Sequence, residues 1–485
     1  MYIFTIDKSD YDETQLNKAQ ISQLIRKHRS FSARIRKNIR YYGADHAIKT
    51  RTKKIKGSSN NKVVCNHAKE ISDTATGYFI GNAIKYTTSD DQGKEALDRL
   101  TDAFDKAEVE DVDNDIALDQ SRCGVGYEYI YIKENTTELC SKSIEPTNTF
   151  LVKDDTIEQN LLFGVYYFRF KDAITGKYRY KATVCTESYL YEMILEGNYD
   201  HTVYANEEPR EHFLGEVPII EYLNNKDGIG DYEQQISLID AYNILMSDRV
   251  NDKEQFVESL LVIYGAIMGD DNDEVSEAVK ILRENGLLEL PESTKAEYIS
   301  RTFDESGMEV LRKAIKEDIY TFSHVPNLTD ENFVGNSSGV AMEYKLLGLE
   351  MITKIKERYY KKGLKRRIEL YSNYLKLKAI SVNPTAITPV FTRALPKNLL
   401  ELSQMITNFK GTVSNETLIS QIPFVDDAQT EMEKLNKESE ENMKKQQKMF
   451  NADNDIPFNK ENEDEDEENN DQDKKSDTST SDKTS

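Results

Sequence analysis

The sequence predicts an α+β protein, with a strand-rich block set between segments of helical periodicity. Three observations carry that expectation. Residues 124–222 hold "GVGYEYIYIKE", "LLFGVYYFRF" and "KYRYKATVCT", runs of β-branched and aromatic residues separated by Gly, Asn and Asp turns; this is the texture of strands. From Asp231 the period changes: Ile236, Ile239, Tyr242, Met246 and Val250 fall three and four residues apart, so one helix face carries them all. After Pro326, the polar, turn-forming "NLTDENFVGNSS" leads directly into another helical run. A loop of that length inside a compact region is uncommon and usually functional or disordered.

Taken in order, the chain first shows a basic arm over residues 26–56, from Arg26 and Lys27 to Lys54 and Lys56, with Asp45 its single acid. Two readings stand there: a surface for nucleic acid or an acidic neighbouring subunit, and a solvated helix face with a loop. "NHAKEISDTATGYFIGNAIKYT" reads as a helix ending near Gly77 and Gly81, then a strand. "GVG" at Gly124–Gly126 has no following Lys-Ser/Thr and reads as a turn entering a strand. A helix from near Asp231 to about Glu258 would be roughly 40 Å long. Next comes a small insert: a strand-like run Leu260–Met268, a helix Asp273–Glu284 stopped by Gly286, and a strand-like run Leu287–Leu290.

A second helix starts near Glu305 with the stripe Met308, Leu311, Ile315, Ile319 and Phe322, and ends at Pro326, because proline pushes its predecessor out of the helical region. The two helices can run antiparallel with the insert at their far end. A third helix, capped by Ser337 or Ser338, carries Val340, Tyr344, Leu347, Met351 and Ile355 on one face and runs, with a kink near Gly363, to about Leu377. "NPTAITPVFTRALP" adds one strand. "KNLLELSQMITNFKG", "SNETLISQI" and "DDAQTEMEKLNKESEENMKKQQKMF" are helical, and the final acidic stretch is too poor in apolar residues to offset chain entropy by burial.

Composition bounds the function. A chain of 485 residues exceeds one core, so two to four domains are expected. The formal charge of -23 argues against a general DNA-coating protein but does not exclude one that must touch DNA without sticking to it, since each phosphate neutralised adds affinity. The N-terminus lacks a signal-peptide pattern, and "LLVIYGAIM" is about half the length of a bilayer span. Cys65, Cys123, Cys140 and Cys185 are scattered and read as reduced thiols. The expectation is a soluble, intracellular chain with no membrane partner.

No phosphate loop, zinc spacing or nucleophile elbow occurs. The acid runs "SDD" at Ser89–Asp91 and "GDDNDE" at Gly269–Glu274 are expected in so acidic a chain, although two-metal nucleases use such clusters. Neither catalysis, metal nor cofactor is expected. "KIKERYYKKGLKRR", Lys354–Arg367, reads as the exposed and subunit-contacting faces of a long helix, with direct nucleic-acid contact the alternative.

Three strings, "NKVVCNHAKEISDTATGYFIGNAIKY", "FSHVPNLTDENFVGNSSGVAMEYKLLGLE" and "KGTVSNETLISQIPFVDDAQTEMEKLNKE", together with the order of elements, resemble the portal proteins of tailed double-stranded DNA bacteriophages, particularly long-tailed phages of Gram-positive hosts. The middle string is the most specific, and the resemblance spans about Ile21 to Glu440. It implies a portal fold assembled as a ring, commonly of twelve. The segments would be an N-terminal segment and mixed α/β wing (1–228), an antiparallel helical stem (229–259 and 301–325), a small α/β clip (260–300) and a tunnel loop (326–337). A long kinked helix with a wing strand (338–396), a helical crown (397–440) and an acidic disordered tail (441–485) would complete the chain.

The same resemblance implies a conduit for DNA entry and exit at one capsid vertex of the virion, assembled in the host cytoplasm. Its partners would be the terminase large subunit, head-completion or adaptor proteins, and major capsid and scaffold proteins. Asn327, Asp330, Glu331, Asn332 and Asn336 would face double-stranded DNA without sequence specificity, while Phe333 would pack the loop against a neighbour. Asp270, Asp271, Asp273, Glu274, Glu277, Glu284 and Glu292 would dock the terminase and adaptors. The alternatives are a minor head or scaffold-type virion protein that closes no ring, and a carboxylate-dependent phage nuclease.

Overall fold

The computed structural model describes residues 3–53, 59–88, 93–134, 136–171, 173–174, 176, 178–196, 201–204, 209–257, 260–264, 273, 276–277, 280, 295–299, 305–328, 339–393, 399–422, 425 and 428–453. The chain forms two compact units, Met1–Pro396 and Lys397–Ser485.

In the first unit, β1 (Phe4–Ile6), β5 (Thr149–Asp154), β6 (Leu161–Lys171), β7 (Tyr178–Cys185), β8 (Tyr189–Glu196) and β10 (Arg210–Glu211) lie side by side, and β9 (His201–Tyr204) also pairs with β8. β1 joins parallel to β5, whereas the remaining pairs are antiparallel. Helix α1 (Lys18–Tyr42) covers this sheet. It begins where the Asn17 side chain accepts from the amides of Ala19 and Gln20, satisfying donors that a helix start leaves orphaned. Its Ile21, Leu24 and Ile25 are buried with Phe150, Val152 and Phe163 of the sheet.

A second sheet, ordered β11 (Ile219–Leu223), β3 (Val125–Ile132) and β4 (Leu139–Ile144), packs under α2 (His67–Ile80), α3 (Lys94–Lys106) and α4 (Val109–Cys123). α4 ends on Gly124 with φ +82, and β3 starts at the next residue, so the "GVG" turn enters a strand as the sequence indicates. A Cβ at Gly124 would lie 2.1 Å from the Gly228 carbonyl oxygen; glycine is required there for space as well as for its positive φ.

The remaining frame is helical. α5 (Ile236–Val257) and α6 (Glu305–Ser323) pack together, and α7 (Gly339–Leu377) follows. Beyond α5, β12 (Leu260–Tyr264) pairs antiparallel with β13 (Lys295–Ile299). The expected strand at Leu287–Leu290 lies outside the described residues; the strand that pairs is "KAEYI", whose weaker apolar alternation gives little signal. β14 (Ile387–Val390) returns to pair with β2 (Lys85–Thr88).

The stripes read from periodicity need correcting. Val250, Leu311 and Phe322 are exposed, and the α7 row is the clearest case: Tyr344 is 74% exposed, Leu347 51%, Met351 62% and Ile355 46%. The buried face of α7 is a different row, Leu346, Leu349, Thr353, Lys356, Tyr360 and Leu364. Both rows repeat every three or four residues, so the period identifies the helix but not its inner face. The inner row includes Thr353 and Lys356, which disguise it.

In the second unit, α8 (Leu399–Phe409), α9 (Asn415–Ile419) and α10 (Ala428–Asp453) follow one another. Ser414 caps α9, its side chain accepting from the Thr417 amide. α10 spans the stretch read as helical to Phe450 and ends at Asp453; "ENMKKQQKMF" keeps good helix formers.

Candidate functional site

The α5–α6 pair is held by apolar packing at one end and ion pairs at the other. Ile236, Ile239, Tyr242 and Ile319 share a core with Leu346 and Leu349 of α7. Toward the β12–β13 end, Arg249 lies 3.2 Å from Glu305 and 3.0 Å from Glu309. Arg312 lies 2.6 Å from Glu309 and donates to the Tyr242 hydroxyl at 3.2 Å. Hydrogen bonding from Arg312 holds the Glu309 carboxyl down at about 2, so it is ionised throughout the neutral range. At the other end Tyr320 donates to Glu70, Tyr78 donates to Glu350 at 2.9 Å, and α2 is thereby tied to α6 and α7.

The junction leading into α5, "NNKDGIGD", is closed by its own amides. The Asp231 amide donates to Ser121 O at 2.7 Å, and the Asn224 amide to Gly124 O at 2.9 Å. Asn224 Nδ2 reaches both Ile229 O and Asp231 Oδ1 at 2.8 Å. Lys356 of α7 then places its Nζ 2.7 Å from Asp231 Oδ2, and both side chains are buried. The sheet, the start of α5 and the long helix meet at this pair.

Three turns further along α7, Arg367 is fully buried. Its Nε donates to both oxygens of Glu128 at 2.9 Å. Its Nη1 lies 2.7 Å from Asp113 Oδ1, a close ion pair without the N–H alignment of a hydrogen bond. Ser141 and Tyr222 donate to Glu128, and Tyr360 donates to Asp113 at 2.8 Å. Burial raises the Asp113 carboxyl, with Arg367 pulling the other way; one guanidinium faces two carboxyls.

These anchoring residues are ones the sequence reading missed. "KIKERYYKKGLKRR" was read as exposed and subunit-contacting faces, yet Lys356, Tyr360 and Arg367 are buried while Arg358, Lys362 and Lys365 are exposed. The signal was present in the spacing: Lys356, Tyr360, Leu364, Arg367 and Tyr371 step by three and four. The basic arm is likewise partly consumed within the chain. Arg34 pairs with Glu233, Arg40 with Asp45, and Arg51 with Asp248.

Of the expected loop residues, Asn327 is described, a few residues beyond the end of α6. Asp330, Glu331, Asn332, Phe333 and Asn336 lie outside the described residues. Of the expected docking acids, Asp273 and Glu277 are exposed helical positions; Asp270, Asp271, Glu274, Glu284 and Glu292 lie outside. Among the described residues no three His, Cys, Asp or Glu side chains converge as a metal site requires, and no helix is long and apolar enough to cross a membrane.

The family model described as "Phage portal protein, SPP1 Gp6-like" matches residues 21–445. A portal protein of Bacillus phage SPP1 is 24% identical over 430 residues, covering 83% of this chain and 83% of its own. A portal protein of Clostridium phage phiCD119 is 20% identical over 409 residues, covering 78% of this chain and 84% of its own. Among solved structures, a chain from the neck of an empty GTA particle computed with C6 symmetry gives a TM-score of 0.44 at 10% identity, over 72% of this chain and 88% of that one. The chain belongs to the SPP1 Gp6-like family of phage portal proteins.

Proposed function

We propose that this portal protein closes into a ring around a central channel for double-stranded DNA, with a structural rather than an enzymatic role. The observation that carries the reading is the layout of the α5–α6 pair. The β12–β13 pair lies beyond the end where Arg249 meets Glu305, and α6 stops at Ser323 at the opposite end, which α2 and α7 hold. In a ring of such pairs, one end presents an element to docking partners and the other presents a polar loop toward the axis.

On that reading residues 229–259 and 301–325 form the stem, 260–300 the clip, 326–337 the tunnel loop, 338–396 the long helix and wing strand, 397–440 the crown, and 1–228 the N-terminal segment and wing. Asn327, Asp330, Glu331, Asn332 and Asn336 line the channel as acceptors and amides with few cations, so phosphates pass with little counterion release and little retention; Phe333 packs against a neighbour. Asp273 and Glu277, with Asp270, Asp271, Glu274, Glu284 and Glu292, give the clip an acidic face for the terminase large subunit and the head-completion proteins.

The deciding experiment removes Asp330–Gly335 from the full chain. Electron microscopy should show rings indistinguishable from wild type, while DNA packaging into heads falls sharply. Normal packaging would remove the loop's role, and the absence of rings from wild-type protein at high concentration would remove the ring.

A further inference from the structure

We infer that the outward face of α7 is where a neighbouring copy of this chain seats, and that its charge pattern selects a head-to-tail contact. This rests on the ring reading and names the surface that closes the ring.

Positions 344, 347, 351, 355, 358, 362 and 365 step by three or four, so they form one continuous row along α7, about 32 Å long at 1.5 Å per residue. Its first four members, Tyr344, Leu347, Met351 and Ile355, are exposed although apolar. Ile355 and the exposed Phe322 of α6 line a common hollow of about 250 Å³ whose other walls are mostly polar, so one apolar side chain of α6 lies near this row. The last three members, Arg358, Lys362 and Lys365, are exposed and have no carboxylate partner among the described residues. A row that is half apolar and half cationic is a poor match for itself. Parallel copies would oppose like charges, and antiparallel copies would press unpaired cations onto apolar side chains. A two-fold dimer through this face is therefore disfavoured.

The complement lies elsewhere on the same unit. Asp98, Asp102 and Asp105 share one face of α3 at steps of four and three, and Glu110, Asp111 and Asp115 follow on α4. All six are exposed and have no ion-pair partner among the described residues. The cationic half of α7 on one copy seats against this acidic ridge on the next. A contact between two different surfaces repeats from copy to copy, and a ring forms when the rotation closes.

The test uses the full chain, followed by mass photometry and negative-stain imaging, with circular dichroism to show that each variant is folded. The paired substitution Arg358→Glu with Lys362→Glu should lower the ring fraction at least tenfold, and so should Asp98→Lys with Asp102→Lys. The four substitutions combined should restore rings. Ring fractions unchanged in the pairs would overturn this surface while leaving the ring reading intact, as would a loss that the combined variant does not reverse. Wild-type protein without rings would overturn the ring reading, and this inference with it.

Discussion

The two stretches of α7 on either side of Lys356 differ in what their apolar and charged residues face. From Lys356 onward the helix is conventional on its outside and unusual on its inside. Arg358, Lys362 and Lys365 meet solvent, while Lys356 and Arg367 are buried on carboxylates. Before Lys356 the inside is conventional, with Leu346 and Leu349 in the core, and the outside carries Tyr344, Leu347, Met351 and Ile355. One stretch thus places charge where burial penalises it, and the other places apolar surface where water penalises it. A buried charge needs partners within the fold, and Arg367 and Lys356 have them. An exposed apolar row needs partners outside the fold. The first stretch fixes the helix to α4, to β3 and to the junction before α5; the second is the stretch inferred to seat a neighbour.

The contrast can be broken most forcefully at Arg367. Replacing it with Met leaves Asp113 and Glu128 buried without their cation. Removing one partner of a buried ion pair destabilises by about 3–5 kcal/mol. Urea unfolding of the Arg367→Met chain should show a loss of that order, and a loss below about 1 kcal/mol would mean the cluster is not what fixes this stretch. A smaller effect is expected at Gly363. A Cβ there would come within 2.3 Å of the Tyr222 ring, and overpacking of this kind costs about 1–3 kcal/mol. Gly363→Ala should lower the thermal midpoint, and Tyr222→Leu in the same chain should recover part of the loss by vacating the space.

The cluster also predicts a pH dependence. Asp113 has its folded-state pKa raised by burial, so between the unfolded and folded values the native state holds the extra proton. Stability from this group is present below the unfolded value and is lost as pH rises through the folded one, at up to roughly 1.4 kcal/mol per pH unit for a single proton. Asp113→Asn should therefore gain stability relative to wild type as pH is raised above the ordinary carboxylate value of about 4. A relative stability that is flat with pH would show Asp113 ionised like an ordinary surface acid.

These residues also show how far the sequence could be read. The strand-rich block and the long helices were legible, because caps and periods are local; the helices Lys94–Lys106 and Val109–Cys123 were not anticipated. Asn17, Asn66 and Ser414 open helices through their own side chains, and Gly124 closes one. The inner face of α7 was not legible. A row containing Thr353, Lys356 and Arg367 looks solvent-exposed until Asp231, Asp113 and Glu128 are brought to it from 125, 254 and 239 residues away, and no local pattern announces those partners. Gly363 shows the same limit. Its missing side chain makes room for Tyr222, which only the sheet can supply.

The smallest effect is expected on the outward row, and it is the most telling. Tyr344 touches solvent over most of its surface, so Tyr344→Ser removes little buried area from the isolated chain. An exposed substitution away from caps and cores usually stays within about 0.5 kcal/mol. Unfolding measured at concentrations where the chain is monomeric should therefore be almost unchanged. The same substitution should lower ring yield at higher concentration, because the ring edge would lose a buried aromatic. If monomer stability falls by more than about 1 kcal/mol, Tyr344 is packed within its own chain and the contrast between the two stretches disappears. If stability holds while ring yield falls, the apolar outside of α7 owes its composition to assembly rather than to folding.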